Sequence, residues 1–143
     1  MTPHFDKLIA MYQSAPINDW FQPRMSIPEA GVCQVELNVR REFFHAAAAI
    51  HGAVYFKMLD DAAFFAVQSL VHDVFVLTAS FNLYFLRPVS AGELVSQGRV
   101  VHRTKRLFIA EAVLMQKDGK EVGRGSGNFL PSSTPLAADL GYR

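Results

Sequence analysis

The chain has 143 residues, half of them hydrophobic, with 14 Lys and Arg against 13 Asp and Glu and a formal net charge of +1. That length bounds a single domain, 1–143, able to bury a sizeable core. The charge balance excludes a nucleic-acid binder working through a basic surface and a solvated, disordered chain.

Apolar content this high in a small chain also points to surface buried between subunits. The lone Cys33 leaves no internal disulfide, suits a reducing compartment and reads as a small buried hydrophobe. The N-terminal Met-Thr-Pro-His-Phe-Asp lacks the charged and apolar regions of a signal peptide. The longest apolar run of the central helix, Ala62 to Val67, is far too short to cross a bilayer. The expectation is a cytoplasmic protein with neither a membrane nor a nucleic-acid partner.

In chain order, Phe5, Leu8, Ile9 and Tyr12 recur at helical spacing and predict a short amphipathic helix over 3–14. Residues 14–28 hold three prolines and read as a connection anchored by Ile17, Trp20 and Phe21. Trp20 is read as packing on a sheet rather than lining a ligand pocket. Residues 1–30 thus form an N-terminal helix and connection. Between Gly31 and Val39, Cys33, Val35, Leu37 and Val39 alternate with polar neighbours, predicting a strand. After an aperiodic passage ending in four alanines, residues 51–67 are apolar nearly all round, the mark of a helix buried on several sides. Lys57, Asp61, Gln68 and His72 fall in one narrow arc, read as a solvated stripe, with Asp61 paired to Lys57 at the surface.

The pattern then turns to strands. Leu77, Ala79, Phe81, Leu83 and Phe85 alternate with Thr78, Ser80, Asn82 and Tyr84, as in a half-buried strand. Residues 93–102, 107–116 and 121–130 predict three more. They are joined by the basic Arg103-Thr104-Lys105-Arg106 and by a turn carrying Asp118-Gly119, a pair suited to a tight hairpin. Gly123, Gly125 and Gly127 keep one face of the last strand bare, and residues 131–143 read as a loose tail. Strands joined by short links predict an antiparallel sheet, curved around one long apolar helix, an α+β architecture. Covering its second face and its edge calls for a dimer.

His51-Gly52-Ala53 with Leu59-Asp60 and Ala62 resembles the His-Gly-Gly…Asp-x-Ala signature of hotdog-fold acyl-CoA thioesterases, in particular the phenylacetate-degradation type. Thr78 to Pro88 resembles the strand of that family ending in Phe-x-Arg-Pro, and the likeness runs from about residue 43 to 130. It implies hydrolysis of an aryl- or medium-chain acyl-CoA by a dimer, or a dimer of dimers, with coenzyme A entering only as part of the substrate and no separate cofactor. It also implies Asp60, nine positions after His51, as the base or nucleophile. Gly52 opens the helix, where unpaired N–H groups and the positive end of the dipole can hold an oxyanion. The two stand eight residues apart, about 12 Å along one helix, so one chain cannot bring both to one carbonyl. A two-fold dimer with antiparallel helices can.

By the same resemblance His51 orients the turn or the carbonyl, or simply caps the helix. His45 stands where relatives often have an asparagine contacting the thioester or the water. Thr78 aligns with a hydroxyl residue that holds the attacking water, and equally reads as an outward strand threonine. Asn82, Arg87, Arg103, Lys105 and Arg106 are candidates for coenzyme A contacts, with the basic turn equally readable as a solvated loop. Ala53 departs from the second glycine of the signature. Two alternatives stay open: a hydratase or dehydratase of acyl thioesters using His45, and a non-catalytic acyl-CoA-binding protein. The five histidines show no ligand spacing for a metal, and no nucleophile-elbow motif is present.

Overall fold

The structure, a computed structural model, describes residues 2–143. Its elements in order are α1 (Pro3–Ser14), α2 (Pro16–Phe21), β1 (Arg24–Glu29), β2 (Val32–Asn38), a 3-10 turn (Arg41–Phe43), α3 (Gly52–Gln68), β3 (Val74–Phe85), β4 (Glu93–Arg103), β5 (Phe108–Gln116), β6 (Glu121–Pro135) and a second 3-10 turn (Ala138–Leu140). The strands form one antiparallel sheet in the order β1-β2-β4-β5-β6-β3. α3 packs against β2, β3, β4, β5 and β6, so the sheet wraps the helix as the hydrophobic patterning demands.

The helix starts at His51, whose Nδ1 accepts the N–H of Ala53 at 2.9 Å, an N-cap that satisfies one first-turn donor. Met58, Leu59, Ala62, Ala63, Ala66 and Val67 are fully buried. Their small members let the helix lie low on the sheet at Gly98, where an added Cβ would come within 2.3 Å of the Ala62 backbone. Any side chain at Gly98 would therefore lift the middle of α3, the part that carries Asp60.

The predicted solvated stripe is not solvated. α1 lies over it: the Tyr12 hydroxyl donates to Asp61 Oδ2 at 2.6 Å, and Lys57 Nζ reaches the same oxygen at 2.6 Å. Asp61 does pair with Lys57, but under a helix rather than at the surface. Gln68 is wholly buried. Its amide donates to the carbonyls of Val71 and Val74 and accepts from Val76 N–H, three bonds of about 1 kcal/mol each that launch β3. Of the four residues, only His72 is exposed.

Three further expectations are corrected. The proline-rich connection holds α2 and β1; Pro28 is tolerated because β1 is an edge strand whose N–H groups need no partner on one side. Trp20 does not pack on the sheet: it is half exposed and meets Phe21 and Phe43 edge-on, with the Arg40 guanidinium over its ring. The tail is structured, since β6 continues to Pro135 against β3. Beyond it, the Tyr142 hydroxyl lies 2.7 Å from His4 Nδ1, while His4 Nε2 lies 3.0 Å from the Gln68 carbonyl.

The topology also differs from a simple meander. β3 pairs with β6, not with the next strand β4, and so becomes the second edge of the sheet. Phe81 fills the bare face of β6, where a Cβ on Gly125 or Gly127 would come within 2.7 or 2.5 Å of its ring. Along that edge Leu77, Tyr84 and Phe85 are 52%, 68% and 59% exposed, a long apolar edge of the kind that proteins cover.

Candidate active site

Two groups of the predicted site residues face the β3 side of α3. In the first, Asp60 lies at mid-helix and its Oδ1 accepts the Thr78 hydroxyl at 2.9 Å; among the described residues Oδ2 has no hydrogen-bond partner. Burial pushes the Asp60 carboxyl up to about 6, because a low-dielectric setting disfavours its charge. The Thr78 bond opposes this, the neighbouring Asp61 adds to it, and Lys57 opposes it. Asp61 is itself raised by burial, against the pull of Lys57 and Tyr12. A carboxylate with one oxygen anchored, the other free and its pKa near neutrality suits proton transfer.

In the second group, Gly52 opens α3 and lines a cavity of 370 Å³ with His45, Ala49, Ile50, Tyr55, Phe85, Leu86, Arg87 and Pro88. As the first helical residue, Gly52 has no intrahelical acceptor for its N–H, and the helix dipole makes that end positive. An added Cβ would stand 3.2 Å from the Phe85 ring, so glycine permits Phe85 to close on the helix start. His51 is the cap described above. His45 is exposed, and its Nδ1 accepts Ala47 N–H at 3.0 Å.

The remaining candidates divide. Arg87 lines the Gly52 cavity, and its carbonyl accepts the Tyr55 hydroxyl at 2.6 Å. Asn82 is exposed on the β3 edge between the two groups. Arg103, Lys105 and Arg106 are exposed, and Lys105 lines a cleft with residues 70–74 beyond the far end of α3. Within one chain the basic turn therefore does not meet the Gly52 cavity. Tyr55, Phe85 and Tyr12 escaped sequence reasoning. The spacing of Tyr55, three after Gly52, was the available signal, since it puts both on one helix face. Among the described residues no cluster of three or more His, Cys, Asp or Glu could hold a metal ion, and no helix is long and apolar enough to cross a membrane.

The family model of the thioesterase superfamily matches residues 48–123, a span holding Gly52, Asp60 and Thr78 and more than half the chain. The chain belongs to the thioesterase superfamily. A protein of Saccharolobus solfataricus, SSO1253, whose name assigns it provisionally to the esterases, is 28% identical over 83 residues, 58% of this chain and 55% of that protein. The match thus spans about half the length of that curated relative. Among solved structures, the E. coli PaaI protein from the phenylacetic acid degradation operon superposes with a TM-score of 0.85 at 18% identity, covering 94% of this chain and 97% of that one. A Q49A mutant of thioesterase PA1618 from Pseudomonas aeruginosa gives 0.81 at 18% identity, covering 95% and 97%. These likenesses establish the superfamily's hotdog fold for the chain: one antiparallel sheet wrapped around one long helix.

Proposed function

We propose that the protein hydrolyses an acyl-CoA thioester, with an aryl or medium-chain acyl group, at a site shared by two copies of the chain. The observation that carries this reading is the placement of Asp60 and the Gly52 N–H on one face of α3, about 12 Å apart, beside an apolar edge. Ala53 and Phe56 lie exposed between them, and Phe56 meets Phe81 of β3 edge-on at 5.8 Å. A two-fold axis near Phe56 and Phe81 would run the two helices antiparallel and join the two β3 edges. It would set Asp60 and Thr78 of one protomer against Gly52 and Phe85 of the other, and bury the exposed aromatic residues between them.

In that arrangement the Asp60 carboxylate takes a proton from water as the oxygen attacks the thioester carbon. The Gly52 N–H receives the developing oxyanion. The carbon–sulfur bond then breaks, and the proton held by Asp60 passes to the departing coenzyme A thiolate, giving free acid and thiol. Direct attack by Asp60 would reach the same products through an anhydride that water opens. Arg87, beside the cavity, is the nearest guanidinium for a coenzyme A phosphate. Arg103, Lys105 and Arg106 would join it only if the partner's cavity opens toward their turn.

The test is thiol release by purified protein across a panel of acyl-CoAs. Because the ionised carboxylate is the working form, kcat/KM should fall about tenfold per pH unit below pH 6, set by the raised Asp60 carboxyl. An engineered monomer, made by placing lysines at Leu77 and Tyr84, should lose hydrolysis. Full activity in a monomer would overturn the shared site, and silence across the whole panel would overturn the reaction.

A further inference from the structure

The Gly52 cavity has a floor. Helical side chains lean toward the N-terminus, and the Tyr55 ring does so, lining the cavity with Gly52 one turn earlier. Its hydroxyl donates to the Arg87 carbonyl at 2.6 Å, and its ring meets Phe85 edge-on at 5.2 Å. Behind the ring is Gly123, whose added Cβ would stand 3.2 Å from Tyr55 and 3.7 Å from Leu59. The ring therefore closes the cavity, with the β6 backbone at Gly123 and the Leu59 side chain packed directly behind it. Tyr55 is only 4% exposed, and a bond to a backbone carbonyl cannot be released by rotating a partner side chain.

We propose that Tyr55 sets the acyl-length limit of this cavity. Fixed on the Arg87 carbonyl and on Phe85, it confines the acyl group to a medium chain or a single aromatic ring and turns away long fatty chains. The inference rests on the acyl-CoA reading above and names the feature that selects among such substrates. Ile50 and Ala49 supply an apolar wall and Phe85 an aromatic edge, so a flat ring or a few methylenes are the groups that gain from burial there.

The experiment measures binding of non-hydrolysable S-alkyl-CoA thioethers of increasing length by calorimetry, alongside thiol release from the matching thioesters. Affinity in the natural protein should rise about fourfold per buried methylene, then stop at a medium length. In Tyr55→Ala, which removes the whole ring, the stop should move out by several carbons, and the long-to-short ratio of kcat/KM should rise at least about tenfold. Tyr55→Phe, which keeps the ring and loses only the hydroxyl bond, should give a smaller shift in the same direction and serves if the alanine variant does not fold. The same stop in the variants as in the natural protein would overturn the proposal. Absence of thiol release, with a thioether series that still binds and still shows the stop, would overturn hydrolysis and leave the length limit standing.

Discussion

Replacing Asp60 with asparagine is expected to lower kcat by about 10²–10⁴ and, in the same protein, to raise its stability. Asparagine keeps the shape and still accepts the Thr78 hydroxyl, but it can neither take a proton nor attack a carbonyl. The stability gain follows from linkage. In the folded chain burial holds the Asp60 carboxyl at about 6, above its ordinary 3.8, so between those values the native state binds more protons than the unfolded one. Its favourable contribution is complete below pH 3.8 and is lost as pH rises through 6. At pH 7 the ionised carboxylate is thus a burden, and removing it should recover about 2 kcal/mol, after allowance for its partial exposure. Thermal melts at pH 7 and pH 4.5 check this: the variant's advantage should shrink at the lower pH. A variant that is both fully active and no more stable would remove Asp60 from the chemistry.

Asp61→Asn should do the reverse. Its carboxylate lies under α1, held by Lys57 Nζ and the Tyr12 hydroxyl, each at 2.6 Å. Asparagine would leave the Lys57 ammonium largely buried without its counter-charge. Breaking such a pair from one side costs about 3 kcal/mol, near 6–12 °C in Tm for a chain of this size. Adding Lys57→Met should restore most of the loss, because a buried pair replaced on both sides by apolar groups is close to neutral. Turnover should fall less than about tenfold. Its acid limb should move to lower pH, since the charge of Asp61 is one of the causes raising Asp60. Equal losses of turnover in both variants would undo the distinction between the two carboxylates.

The sequence made the central helix legible through its nearly unbroken apolar run, β2 through its alternation, and β4 and β5 through the turns that bound them. It misled where a second element changes what a residue faces. Lys57, Asp61 and Gln68 form a polar stripe that looks solvated until α1 covers it, and nothing local to α3 announces that cover. β1 alternates well at Met25 and Ile27, yet three prolines outweighed that signal; Pro131 and Pro135 hid the end of β6 in the same way. Edge positions, where prolines are tolerated, depend on strand order. That order is set by long-range pairing between β3 and β6, which short links cannot reveal. Of the candidate site, the Asp60–Thr78 contact joins two residues picked separately, 18 positions apart. Tyr55 and Phe85 went unread because aromatic residues at helix and strand spacing look like core.

That late pairing also bears on how the chain is made. β3 ends at Phe85, but its only partner strand among the described residues is complete fifty residues later, at Pro135. At about 5–20 residues per second on the ribosome, the apolar strand waits about 3–10 s with both edges bare, and one edge stays bare after the chain is released. Neighbouring nascent chains on one message carry the same strand, and those that have passed Phe85 but not reached Pro135 all expose it. Crowded synthesis therefore favours premature strand-to-strand joining, whereas faster elongation shortens the wait and favours β6 as the first strand β3 meets.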